Sequence, residues 1–208
     1  MSSTVSSEQR LKAPAILAVV LLGLGARVPQ GPVHPLRYKV EVAGSSVRWE
    51  LPTTFEPIKG VVPLFHGWIE AKPLPDGGWD VSSRIVVPAA AMRTGNRRRD
   101  RTLREKVLET ARYPEIVFEL RQFTGDLSRF RPGETFSVQV VGDLTVHGKT
   151  AAVQLPVDVS VFPKAVVLTG SFPVHWRAYG LQDPSLRLVA RVKEPMFVAF
   201  RLRAVPAD

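Results

Sequence analysis

Between residues 153 and 161 apolar and non-apolar positions alternate without a slip. Val153, Leu155, Val157, Val159 and Val161 are interleaved with Gln154, Pro156, Asp158 and Ser160. An extended chain turns successive side chains to opposite faces, so this run forms a strand with one apolar side; a helix would scatter the same residues around its circumference. The pattern recurs at Val47, Trp49 and Leu51, at Trp79, Val81, Ser83, Ile85 and Val87, at Ile116, Phe118 and Leu120, and at Phe136, Val138 and Val140. Leu144 and Val146 follow a break at Gly142. Further strands are expected within 61–71, 166–174, 186–192 and 196–203. Residues 57–60, 125–133 and 179–185 read as loops, 73–78 (PLPDGG) as a hairpin connection, and Gly148-Lys149 as a tight turn. Roughly nine strands with a single apolar face argue against a parallel sheet buried on both sides and predict an antiparallel sandwich or barrel.

One stretch breaks the rhythm. Within 91–123 the pattern changes from period two to a helical one and back. Leu103, Val107 and Ala111 fall at i, i+4 and i+8 with Leu108 beside them, which predicts a short amphipathic helix over 99–111. Asp100 can cap it, or Thr102 and Glu105 can form a capping box, and Pro114 ends it. Set between strands, such a helix is expected to lie across the sheet as a lid.

The chain of 208 residues suffices for one cored domain and a tail. Residues 13–26 (APAILAVVLLGLGA) follow Arg10 and Lys12, a basic and then apolar order that fits an export signal, with an uncleaved N-terminal anchor and a buried helix as the alternatives. The expected division is therefore 1–35 as signal or anchor with a linker, and 36–205 as the folded domain. The chain has no cysteine, which excludes disulfides, thiol nucleophiles and thiolate metal sites. His34, His66, His147 and His175 stand at no metal-ligand spacing. Nucleophile elbows, phosphate-binding glycine loops and nucleotide fingerprints are missing, so neither catalysis nor a cofactor is expected.

Several stretches resemble the YceI-like family of lipid- or polyisoprenoid-binding proteins. Met92-Arg93-Thr94-Gly95 leads to Arg99-Asp100 and Leu103, then to Tyr113-Pro114-Glu115-Ile116-Val117-Phe118. The run 142–150 (GDLTVHGKT) is similar to that family's G-x-L-T-x-x-G-x-T hairpin, and weaker echoes lie at 46–49, 60–67 and 179–181. The resemblance spans about 36–205. It implies an antiparallel, lipocalin-like extended β-barrel in the bacterial envelope, periplasmic or secreted, binding an isoprenoid or related amphiphile without chemistry. Thr102 stands where the family commonly has a histidine, which implies different contacts to a ligand's polar head.

A small closed barrel is either filled by its own side chains or holds one apolar ligand. The inward candidates are Trp49, Phe65, Val81, Ile85 and Phe118, continued by Phe136, Val138, Leu144 and Phe200, with Leu103 from the helix. They form a packed core or the wall of a cavity. Arg98, Arg99, Asp100 and Thr102 are the candidates for a polar head group. The arginines suit an anionic group, and equally a solvated face with Asp100–Arg104 and Arg101–Glu105 pairs. Lys and Arg number 28 against 19 Asp and Glu, a formal charge of +9. That excess suits an acidic ligand head or an anionic membrane surface, while the resemblance implies an isoprenoid or quinone-like lipid as the ligand; a homodimer is a further expectation. The alternative reading is a basic module for nucleic acid or another anionic polymer. Against it, the aromatic residues lie on apolar strand faces and are not interleaved with the basic run.

Overall fold

The computed structural model describes residues 35–75, 78–183 and 191–207. The strands are β1 (Leu36–Leu51), β2 (Ile58–Val61), β3 (His66–Pro73), β4 (Trp79–Pro88), β5 (Glu115–Thr124), β6 (Thr135–Val146), β7 (Lys149–Phe162), β8 (Ala165–Val174) and β9 (Met196–Pro206). All pairings are antiparallel. From β3 onward each strand pairs with the next in sequence, and β9 returns to β1 and closes an eight-stranded barrel. The short β2 adds a flap on one half of β1.

β1 is long because it serves two neighbours on the same side. Its first residues, 36–40, pair with β3, and its last, 48–51, pair with β2. Between them the register with β9 slips from Glu41 to Ser46 around Gly44, whose φ is +78°. That bulge changes the parity of the strand. Tyr38 faces inward before it, and Val47, Trp49 and Leu51 after it. A second slip in β5, between Leu120 and Gln122, likewise returns Phe123 to the inside. Gly142, expected as a break, lies inside the continuous β6, and residues 58–60, expected within a loop, pair with β1 as part of β2. The turn after β6 is His147-Gly148 rather than Gly148-Lys149: both have positive φ, +52° and +70°, as a two-residue hairpin turn requires. Of the strand expected at 186–192, residues 186–190 lie outside the described residues, and Val192 makes an isolated bridge to Thr53. The 13–26 run, His34 and Asp76 also lie outside them.

The outer wall is polar and cross-linked. Arg37–Glu70 and Arg84–Glu119 are directly opposed partners on adjacent strands, and Arg121–Asp143 and Arg203–Glu41 add further pairs. Such exposed pairs contribute little each, because solvent and salt screen them. The inside carries the stability, as in β7, where Leu155, Val157, Val159 and Val161 are all buried.

The inserted helix differs from the expectation at both ends. α1 is Arg97–Thr102, and a π-helical turn, Leu103–Val107, continues it. Asn96 is the N-cap, its Oδ1 accepting from the Arg99 N–H at 3.1 Å; neither Asp100 nor a Thr102–Glu105 box fills that role. In the wider π turn Leu108 N–H donates to the Leu103 carbonyl, and Glu109 at φ +46° then stops the helix. The stop therefore precedes Pro114, and Ala111 lies in an exposed turn. Glu109 is held there by His147, whose Nε2 lies 3.1 Å from Glu109 Oε1, while the Tyr113 ring packs on His147 at 4.2 Å. This ties the lid to the β6–β7 hairpin.

Gly148 is the point where that tie meets a steric limit. A Cβ there would stand 2.7 Å from the Tyr113 ring, on a backbone already left-handed. Gly148→Ala is expected to lower unfolding stability by about 1–2 kcal/mol or more, read from a urea titration.

Candidate functional site

Closing eight strands leaves a lumen, and here it is not filled. The cavity measures about 950 Å³, at the upper end of the range for small-molecule sites. Parity along each strand builds its wall: Val81, Ile85 and Val87 from β4, Ile116, Phe118 and Leu120 from β5, Leu168, Phe172 and Val174 from β8, Val198 and Phe200 from β9. The lid adds Leu103, Val107 and Leu108. The π turn, with one more residue than an α turn, brings both Val107 and Leu108 to the wall.

The residues singled out in the sequence separate cleanly. Trp49, Phe65, Val81, Ile85, Leu103, Phe118, Val138, Leu144 and Phe200 all line the cavity. Phe136 does not. It shares the inward parity of β6 but sits at the strand's start, where it packs among Leu155, Val159 and Val161 in a second buried cluster. It belongs to the packing at the far end of the barrel. There the Tyr38 and Phe130 rings meet edge to face at 6.1 Å, and Phe123, Leu127 and Phe130 line the cavity.

The opposite end is polar. Thr53, Glu56, Thr94, Asn96, Arg98, Arg99 and Thr102 all border the cavity on the side where α1 and the 53–56 loop lie. Apart from these, Ser83, Tyr38 and Tyr179 bring the polar side chains of the wall, and burial pushes the Tyr179 hydroxyl up to about 12, so it stays neutral. The Trp49 indole N–H adds nothing polar to the lumen: it is buried against Gly60, without a hydrogen-bond partner among the described residues.

At this mouth Arg98, Arg99 and Thr102 come together and Asp100 turns away. The Asp100 carboxylate is buried and accepts from the Thr94 N–H at 2.7 Å and the Thr94 hydroxyl at 2.6 Å. Arg99 Nε donates to the same hydroxyl at 2.9 Å. Thr102 Oγ1 donates back to the Arg98 carbonyl. Among the described residues the Arg98 guanidinium has no hydrogen-bond partner, and the Asp100–Arg104 and Arg101–Glu105 ion pairs do not form. Asp100 is thus the post on which the 94–100 loop is built, and Arg98 borders the cavity beside it. Phe55, for which the sequence held no signal, also stands here. It is 68% exposed, on a loop fixed by Thr53 Oγ1, which accepts from the Phe55 N–H and donates to the Glu56 carbonyl. Phe172 was legible, since it continues the alternation of β8.

Among the described residues no three His, Asp or Glu side chains gather as a metal site. His66 opens β3, His175 follows β8, and His147 is engaged by Glu109.

A family model for the YceI-like domain matches residues 38–204. The chain belongs to the YceI-like family. Among solved structures, BcnA of Burkholderia cenocepacia is 20% identical, with a TM-score of 0.66 over 80% of this chain and 99% of that one. A polyisoprenoid-binding domain from Saccharophagus degradans, implicated in plant cell wall breakdown, is 16% identical with a TM-score of 0.65, covering 83% and 99%. The Campylobacter jejuni YceI protein is 11% identical with a TM-score of 0.54, covering 74% and 88%. At these identities the likeness is one of fold. No curated protein matches the chain in sequence.

Burial works to raise the Asp100 pKa, but the Thr94 hydrogen bonds and the Arg104 and Arg99 charges outweigh it and hold it below the ordinary 3.8. A depressed carboxylate stabilises fully above the unfolded value and loses that contribution as pH falls through the folded one. Asp100→Asn should therefore flatten the acid limb of a stability-against-pH profile below about pH 4. Asp100→Ala, which leaves the Thr94 N–H without its partner, is expected to cost about 1–3 kcal/mol in urea unfolding at neutral pH.

Proposed function

We propose that this protein is a non-enzymatic carrier that holds the tail of an isoprenoid-type or quinone-like lipid in the barrel, with the lipid's head at the α1 mouth. The observation that carries this reading is the division of the cavity wall: apolar along the strands, polar almost wholly at one end. An amphiphile has the same division. Each ~100 Å² of tail removed from water contributes about 2.5 kcal/mol at ~25 cal/mol per Å², so a long tail binds well without specific polar contacts. The domain from Saccharophagus degradans, described as polyisoprenoid-binding, supports the same class of ligand.

The mouth is basic. Residues 93–106 carry seven Arg and Lys against Asp100 and Glu105, a surplus of five within a chain charge of +9. Arg98 and Arg99 suit a phosphate or other acidic head, and the same surplus together with the exposed Phe55 suits loading from an anionic membrane surface. The 13–26 run supports work in the cell envelope, periplasmic or secreted. Turnover has little to work with here: Glu56 is the one carboxylate on the wall among the described residues, with no histidine beside it.

Trp49, Trp79 and Trp176 all line the cavity, so intrinsic fluorescence reports its occupancy. Titration with a polyprenyl phosphate should give saturable quenching, and the parent alcohol should bind more weakly. Joint Arg98→Ala and Arg99→Ala substitution should erase most of that difference, about tenfold for two charge-assisted contacts at the mouth, while leaving the alcohol's affinity unchanged. Unchanged preference for the phosphate would remove the arginines from the head-group site. If the same arginines instead govern a salt-dependent association with single-stranded nucleic acid, and lipid leaves the fluorescence untouched, the polyanion-binding module replaces this reading.

A further inference from the structure

Three aromatic side chains point into this barrel from β1, β5 and β9, and the lumen is open in spite of them. Eight strands enclose a space that side chains ordinarily fill, so the rings of Trp49, Phe118 and Phe200 must be stowed. Each lies over a glycine of the adjacent strand. Phe118 Cε2 and Cζ are 2.4 Å from the point where a Cβ on Gly142 would stand. Phe200 Cζ is 2.7 Å from that point on Gly170, and Trp49 Cε2 is 2.2 Å from it on Gly60. Separations below 3.0 Å are ones that real side chains essentially never show. The ring therefore occupies the room that its neighbour's side chain would have taken, and lies along the wall.

The register makes this systematic. Gly170 is the direct partner of Phe200 and Gly60 of Trp49, while Gly142 is diagonal to Phe118, whose own partner is Leu144. Gly142 and Gly170 stand at inward positions, between the lining residues Val140 and Leu144 and between Leu168 and Phe172. On a pleated strand, any side chain at either glycine would point into the lumen. An alanine there would add its own methyl and also lift a ring off the wall, so one substitution narrows the bore twice over.

The geometry points to Gly60, Gly142 and Gly170 as the positions that set the bore, and hence as determinants of which chains the barrel accepts. This rests on the carrier reading above and deepens it. An isoprenoid carries a methyl branch on every unit and is wider than a straight acyl chain of equal carbon number. The open bore admits the branched chain, and a narrowed one discriminates against it.

The test is a ratio of affinities. A polyprenyl alcohol and a straight-chain alcohol of the same carbon number are titrated into wild type, Gly142→Ala, Gly60→Ala, and Gly142→Ala combined with Phe118→Leu. The alanine variants should lose about tenfold or more for the branched chain, as an excess methyl in an apolar pocket does, and distinctly less for the straight one. Phe118→Leu should restore the branched chain, because the smaller side chain frees the space the methyl took. A Cβ on Gly142 also comes within 2.7 Å of the Glu119 carbonyl, so that variant strains backbone as well; the nearest atoms to one on Gly60 all belong to the Trp49 indole. If urea unfolding shows that Gly142→Ala does not fold, Gly60→Ala decides. Equal losses for both chains, no loss for either, or no restoration by Phe118→Leu would overturn the assignment. Wild type binding neither alcohol would instead overturn the carrier reading, and the glycine assignment with it.

Discussion

Everything in this protein depends on the β1–β9 ladder. It joins the ends of the sheet, so that every strand of the barrel has two hydrogen-bonded neighbours and no long edge is left open. It also fixes the number of strands at eight, and with it the width of the enclosed space. β1 can close the barrel and still pair with both β3 and β2 because the slip around Gly44 lets its two halves face inward on opposite parities. The cavity is the consequence: a cylinder with an apolar inner face, stopped by packed aromatics at one end and by α1, the π turn and the 53–56 loop at the other.

Within that frame, charge and apolar surface are kept apart. The lumen has few polar groups, and those of the 94–102 side of the mouth are organised around a buried carboxylate. Asp100 takes two hydrogen bonds from Thr94, and Arg98 has no hydrogen-bond partner among the described residues. A basic loop built on a buried acid is more sharply positioned than one held only by exposed ion pairs, whose worth is small and screened by salt. The lid is held from below in the same way, by His147 and Tyr113 against Glu109.

The strands were legible in the sequence because a wall with one apolar face imposes period two, and β7 shows it without interruption. Nine of the ten apolar candidates, Leu103 of the helix among them, line the cavity. Phe136 escaped because parity gives the side a residue faces and not its height along the barrel. The helix ends escaped because the π turn and the left-handed Glu109 carry no compositional mark; the pattern at Leu103, Val107 and Ala111 continued past the point where the backbone stops. Asp100 looked like a cap or a head-group contact, since sequence shows its charge but not the Thr94 hydrogen bonds that bury it. The bulges at Gly44 and Leu120 were hidden too, and Gly142 read as a break when its role is to leave room for the Phe118 ring. Family likeness carried what periodicity could not, namely that the sheet closes around a space.

The central claim is that this space is kept open for one lipid tail. Native mass spectrometry of the protein, purified from an exporting host without added lipid and followed by extraction, tests it most directly. The account predicts a stoichiometric adduct of isoprenoid or quinone-like mass that is lost on organic extraction. A bare polypeptide mass that stays bare after incubation with polyprenyl lipids would contradict it.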